Sequence, residues 1–285
     1  LTALGDDAAV IDAGNGRVQV ITTDFLLEGV HFDLAYVPLQ HLGYKAAVVN
    51  FSDIYAMHGT PRQMIVGLSV SNRFSVEAIE EIYAGIYMAC EQYGVDLVGG
   101  DTTSSPSSLY MSITVIGEVA KKDITYRKGS NEGELVCVSG DLGAAYMGLL
   151  ILEREKKAFE ANPNAQPDLS GHDYILERQL KPEARKDIVE LLKQEKIQPT
   201  SMIDISDGLA SDVLHLCEHS NLGVHLYEEK LPIDLATINV ADEFQILPSV
   251  AALNGGEDYE LLFTVKLDEH EKVKDLKGIS VIGHM

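Results

Sequence analysis

Short clusters of glycine, carboxylate and hydroxyl residues recur along this chain where one kind of hydrophobic pattern gives way to another. They are Gly5-Asp6-Asp7, Thr22-Thr23-Asp24, Asn50-Phe51-Ser52-Asp53, Gly99-Gly100-Asp101-Thr102-Thr103, Gly140-Asp141, Asp204-Ile205-Ser206-Asp207-Gly208 and Gly255-Gly256-Glu257-Asp258. The runs between them set the fold class. Residues 17–23 alternate and are β-branched, which reads as a strand, and 63–70, 95–98, 109–119, 134–139 and 260–266 read likewise. Within 38–57, Leu42, Ala46, Val49 and Ala56 keep helical spacing. The clearest helix covers 75–93: Ser75 is placed to cap it, Ile79, Ile82, Ile86, Cys90 and Tyr93 form one apolar stripe, and Gly94 stops it. Further helices are expected over 142–155, beyond Pro182 within 178–193, and over 207–219, with an exposed polar loop over 156–171. Strands that alternate with helices predict an α/β (α+β) fold. A second unit starts near Lys128, so the expected domains are 1–128 and 129–285. There is no internal repeat and no low-complexity tract.

Composition narrows the function classes. The chain has 285 residues, of which 46% are apolar, enough for two α/β cores. Its net charge of −22 argues against a nucleic-acid interface, which needs a basic face, and against an anionic membrane surface. Cys90, Cys137 and Cys217 are far apart and form no C-x-x-C pair. A disulfide framework and a structural zinc site are therefore not expected, which fits a reducing, cytoplasmic setting. No apolar run reaches the length of about 18 residues that a membrane helix needs, and no signal peptide is visible. The sequence starts at Leu1 and stops at Met285 just after a strand-like run, so both natural ends are expected to lie outside it.

One Gly/Asp/Ser cluster is ordinarily turn chemistry. A whole series of them, each holding a carboxylate, points to oxygen ligands for Mg²⁺, with hydroxyls and glycine-flanked N–H groups to cradle phosphate. An acidic site cannot hold ATP and a second anion unaided. Several divalent cations between carboxylates and phosphates would solve this and neutralise charge during transfer. There is no G-x-x-x-x-G-K-[ST], no protein-kinase signature set, no G-x-S-x-G and no H-E-x-x-H. The stretch from Asp204 to Asp212 looks like a calcium loop but lacks the EF-hand spacing; its plainer reading is a helix start capped by Ser206 or Asp207.

The segments GDDAAV (5–10), TTDFLLEGVHF (22–32), VNFSDIYAMHGTP (49–61), GGDTT (99–103), DISDGL (204–209) and GGEDYELLF (255–263) resemble the thiamine-monophosphate kinase family of the PurM-like superfamily. They keep that family's order over nearly the whole chain. The resemblance implies magnesium positions at Asp7, Thr22, Thr23, Asp24, Asp53, Asp101, Asp204 and Asp207. It implies nucleotide contacts at Gly100, Asp101, Arg127 and Ser206, with Tyr83 added by spacing, and substrate contacts at His31 and Glu257. It also implies ATP and thiamine monophosphate as substrates and a homodimer built through the N-terminal domain, with a C-terminal α/β domain closing over the nucleotide. The family's aromatic substrate contact near the C-terminus has no counterpart here.

Plainer readings stand beside these. Arg127 lies in a polar turn, Tyr83 falls on the apolar stripe of its helix, and His58 and His215 are read as structural. Asp6 is expected to order its turn and Asp7 to be the ligand. A phosphate monoester, with a second pKa near ~6, is already a dianionic nucleophile at neutral pH, so no obligatory base is expected. Two alternatives remain: another PurM-like ATP-dependent enzyme, or a non-catalytic, metal-dependent nucleotide-binding module.

Overall fold

The strands pair into two five-stranded sheets in the computed structural model, which describes residues 5–164 and 166–285. The first holds β1 (Ala9–Gly14), β2 (Arg17–Leu27), β3 (Thr60–Val70), β4 (Asp96–Ser104) and β5 (Tyr110–Ala120) in the order β1-β2-β5-β3-β4. Only β3 and β4 run parallel. Helix α2 (Val76–Tyr93) makes the crossover that a parallel pair requires. The second sheet holds β6 (Leu135–Ser139), β7 (Ser201–Asp204), β8 (His225–Leu226), β9 (Leu261–Val265) and β10 (Ile279–His284), all antiparallel, in the order β7-β9-β6-β10-β8.

Side-chain period explains the layers. Along β5 every second residue is buried, from Met111 to Val119, so one face of the first sheet packs on the core. Helix α1 (Leu39–Ala56) covers that face and is buried on nearly every side. It packs against α2 so closely that a Cβ on Gly85 would stand 1.8 Å from the Gln40 carbonyl oxygen; only glycine fits there. Strands β6 and β9 are buried at every position, as continuous apolar runs should be. One core cluster runs from Met64 and Ile113 of the first sheet to Cys137, Met202 and Phe263 of the second, around α1. The remaining helices are α3 (Ala144–Ala161), α4 (Asp173–Leu180), α5 (Lys186–Gln194), α6 (Leu209–Ser220), α7 (Leu235–Glu243) and α8 (Pro248–Asn254), before a last short turn. Among the described residues no helix is long and apolar enough to cross a membrane.

Helix α2 starts and stops where its sequence says: the Ser75 hydroxyl accepts the Ala78 N–H, and Gly94 is left-handed at φ +72°. Elsewhere the structure corrects the reading. The Gly99–Thr103 cluster lies inside β4, not after a strand. This edge strand is largely exposed along its length, so neither face needs apolar residues. Helix α3 runs on to Ala161, through the first third or so of the expected loop, because 153–161 is built from strong helix formers. Neither Ser206 nor Asp207 caps α6. Gly208 holds that place, and the Asp212 carboxylate reaches back to the Asp207 and Gly208 N–H groups.

Candidate active site

Three acidic side chains meet between the two sheets. Asp7 precedes β1, Asp53 lies in the last turn of α1 and Asp204 ends β7; one oxygen from each lies within 4.8 Å of the others. Each is oriented by a neighbour. The Thr22 hydroxyl donates to Asp53 Oδ2 (2.5 Å), the Ser52 hydroxyl to Asp204 Oδ2 (2.6 Å) and Arg127 to Asp7 Oδ1 (2.7 Å). The Asp6 carboxylate accepts the Arg127 backbone N–H and so ties the first turn to that segment. Asp24 enters from β2, its N–H held by the Asn50 side chain of α1.

The electrostatics are unfavourable as they stand. Burial, reinforced by the charges of Asp204, Asp24 and Asp7, pushes the Asp53 carboxyl well above the usual range. Burial and the Asp7 charge do the same to Asp204, against the pull of the Ser52 hydrogen bond. Burial raises Asp7 against the Arg127 guanidinium, and raises Asp24 as well. Asp7 Oδ2 is buried with no hydrogen-bond partner. A buried, partnerless carboxylate oxygen facing two other carboxylates is what a hard divalent cation would satisfy, so the donor set fits Mg²⁺.

A cleft of about 300 Å³ opens beside the cluster, lined by Asp24, Asp53, Asp204, Ser206, Asp207 and Glu257 with His31 and Lys45. A cavity of about 410 Å³ adjoins it, walled by Phe32, Tyr36, Val37, Leu42, Tyr146 and Leu149. His31, Lys45 and Glu257 line both. The loop bearing Glu257 is strained: Glu257 and Tyr259 have φ of +64° and +53°. It lies against the Asp204–Gly208 loop, with the Glu257 N–H donating to the Ser206 carbonyl (2.8 Å). A Cβ on Gly256 would stand 2.4 Å from that same oxygen, which is why glycine precedes Glu257. His31 Nδ1 accepts the Leu27 N–H, leaving its hydrogen on Nε2.

Known proteins resemble this chain over most of its length. Residues 5–119 match the family model for the AIR synthase related protein, N-terminal domain. The thiamine-monophosphate kinase of Bacillus subtilis (strain 168) is 35% identical over 95% of this chain and 79% of its own length. That of Aquifex aeolicus (strain VF5) is 34% identical over 98% of this chain and 89% of its own. The chain belongs to the thiamine-monophosphate kinase family. Membership makes it a kinase of PurM-like fold. A solved member of the family, AaThiL complexed with AMPPCP and TMP, superposes with a TM-score of 0.87 over 100% of this chain and 85% of that one, at 32% identity. The hydrogenase maturation protein HypE in complex with ATP, at 18% identity and a TM-score of 0.72 over 98% of this chain and 79% of its own, shares the fold alone.

The family resemblance named more positions than one chain gathers. Asp7, Thr22, Asp24, Asp53, Asp204, Ser206, Asp207, Arg127, His31 and Glu257 all border the cleft or hold the carboxylates that do. Thr23 does not: it points to the outer face of the sheet, exposed, and its hydroxyl accepts from Thr114. The alternation of a strand sends neighbours to opposite faces, so Thr22 and Thr23 cannot share a site within one chain. Gly100, Asp101 and Tyr83 also stand apart from the three carboxylates, around an open recess of about 470 Å³ with Tyr87 and Leu97. The sequence reading missed Lys45, and it named Asn50 in a cluster without its role in holding Asp24. The available signal was a lysine inside an apolar helix, a buried charge that needs a partner.

Proposed function

We propose that this chain transfers the γ-phosphoryl group of ATP to thiamine monophosphate, giving thiamine diphosphate and ADP. The observation that carries the reading is the junction of an acidic, cation-fitting cluster with an aromatic-lined cavity, through walls that both share. The cavity, with Phe32, Tyr36 and Tyr146, suits a flat aromatic head, and its shared wall puts the phosphate end beside the carboxylates. The similarity of the whole chain to AaThiL complexed with AMPPCP and TMP supports the same pair of substrates.

Asp7, Asp24, Asp53 and Asp204 would hold Mg²⁺, with Asp207 on the cleft wall as a further oxygen donor. Bound there, it would supply charge neutralisation between the carboxylates and the phosphates. The chain's own work is positioning. Ser52, Thr22 and Arg127 aim three carboxylates at one point, and the strained Glu257 loop sets the acceptor wall. The dianionic acceptor needs no base. Oriented approach and exclusion of water from the cleft suffice for in-line displacement.

The chain would act as a cytoplasmic homodimer. The outer face of the first sheet exposes Phe25, Ile65 and Val98, and carries Thr23 and Asp101. A second copy on that face would cover apolar area that a lone chain leaves to water. It would also give Gly100, Asp101 and Tyr83 a role in the nucleotide site that they cannot fill from their place in one chain.

The test is ADP release from MgATP with and without thiamine monophosphate, for the wild type and Asp53→Asn. Release that requires thiamine monophosphate, yields thiamine diphosphate and falls at least 100-fold in the variant is expected. Magnesium-dependent ATP binding without turnover would overturn the reading in favour of a nucleotide-binding module.

A further inference from the structure

Lys45 is the only lysine or arginine, among the described residues, on the wall of either cavity. Apart from His31 and the tyrosines, every other ionisable group there is a carboxyl: Asp24, Asp53, Asp204, Asp207 and Glu257 around the cleft, with Asp33 and Glu153 in the adjoining cavity. A dianion entering through the apolar cavity therefore meets carboxylates on both sides and a single cation at the seam.

That cation is prepared for a further partner. It lies mid-helix on α1 with its side chain only 6% exposed, so its direction is fixed by packing. Its ammonium donates to the Gln179 carbonyl (2.9 Å) and to Glu257 Oε2 (3.0 Å). An ammonium has three donors, so one N–H has no acceptor among these contacts. The Glu257 oxygen is shared, because the Gln179 side-chain amide also donates to it (2.9 Å). Glu257 is more accessible than Lys45, at 30% of its side chain, and stands on a loop held in a left-handed conformation. The lysine is thus the fixed partner and the glutamate the movable one.

Resting on the activity proposed above, we propose that Lys45 binds the phosphate of the acceptor directly, and that Glu257 is the counter-ion the phosphate displaces from it. A phosphate oxygen takes a charge-assisted hydrogen bond from the ammonium. The Glu257 carboxylate, released from Lys45 but still held by Gln179, turns toward the organic part of the acceptor. Preference for a phosphorylated acceptor then comes from Lys45, not from the metal cluster alone.

The measurement is calorimetric titration of the full chain in Mg²⁺, without nucleotide, with thiamine monophosphate and with thiamine. The ratio of the two dissociation constants isolates the phosphate. Lys45→Met should shrink the ratio by about tenfold or more, the size of one lost charge-assisted hydrogen bond. Glu257→Gln should enlarge it, because the ammonium is no longer partly neutralised. An ion pair that merely pins the loop to α1 would move the ratio in the same direction in both variants. That result, or an unchanged ratio in Lys45→Met, would overturn the assignment. Titration with inorganic phosphate repeats the comparison independently of the organic group. It decides the Lys45 assignment even if the wild type fails to phosphorylate thiamine monophosphate, an outcome that would sink only the activity reading.

Discussion

Replacing Asp204 by asparagine should stabilise this protein in a chelator and leave it the less stable one in magnesium. Asp204 is 2% exposed and its oxygen lies within 4.8 Å of oxygens on Asp7 and Asp53. At that separation two carboxylates repel by about 3 kcal/mol for an effective dielectric near 20. The full figure is not realised. Arg127 offsets part of the Asp7 charge, and the raised carboxyls of Asp53 and Asp204 retain protons that ordinary carboxyls would release. A net gain of about 2 kcal/mol is reasonable, roughly 3 °C in Tm for a chain of this size. Asparagine keeps an oxygen to accept the Ser52 hydroxyl, so little is lost in exchange. With magnesium at about 100 times its dissociation constant, the wild type gains about 2.7 kcal/mol that the variant forgoes. Thermal melts in EDTA and in MgCl₂ should therefore cross. A variant less stable than the wild type in both buffers would show that Asp204 is a structural hydrogen-bond acceptor, and the cation-site argument would fail.

Further outcomes are expected. Gly256→Ala should cost about 2 kcal/mol in urea unfolding and raise the acceptor KM, because its Cβ would meet the Ser206 carbonyl 2.4 Å away and displace Glu257. His58 is buried, donates from Nδ1 to the Asp123 carbonyl and is held down to about 4 by burial. Its contribution is present above pH 6.5 and lost as the pH falls through 4, about 3 kcal/mol in all. His58→Asn, which tolerates the positive φ there, should flatten urea midpoints across that window; an unchanged slope would refute it. Phe25→Glu on the outer sheet face should give a monomer in sedimentation equilibrium, and a variant that still sediments as a dimer would move the interface elsewhere.

What the sequence disclosed follows from how each feature is encoded. Asp7, Asp53 and Asp204 were legible because each sits in a short cluster at the end of an element, where backbone geometry and chemistry are both local. Helix α2 was legible for the same reason, from its stripe and caps. The extent of α3 was not, since a charged run reads equally as a loop or as a solvated helix. Which of Thr22 and Thr23 faces the site depends on the strand's register against β5, a long-range property. Lys45 was passed over because its partners, Gln179 and Glu257, lie far along the chain. The apolar residues after it mark a buried charge in need of a partner, but not which residues supply one.

Helix α1 carries Lys45, Asn50, Ser52 and Asp53, and it is also the helix that both sheets pack around. Amide hydrogens in such an element exchange with solvent only when the whole molecule opens, whereas loops exchange by local fraying. The Glu257 loop opposite it is tied by its backbone to the Asp204–Gly208 loop, and Asp258, Tyr259 and Glu260 are buried. Only the Glu257 side chain, 30% exposed, is free to change rotamer. The two walls of the cleft therefore share one permanent backbone and differ in a single carboxylate, which can turn many times within one lifetime of the native state.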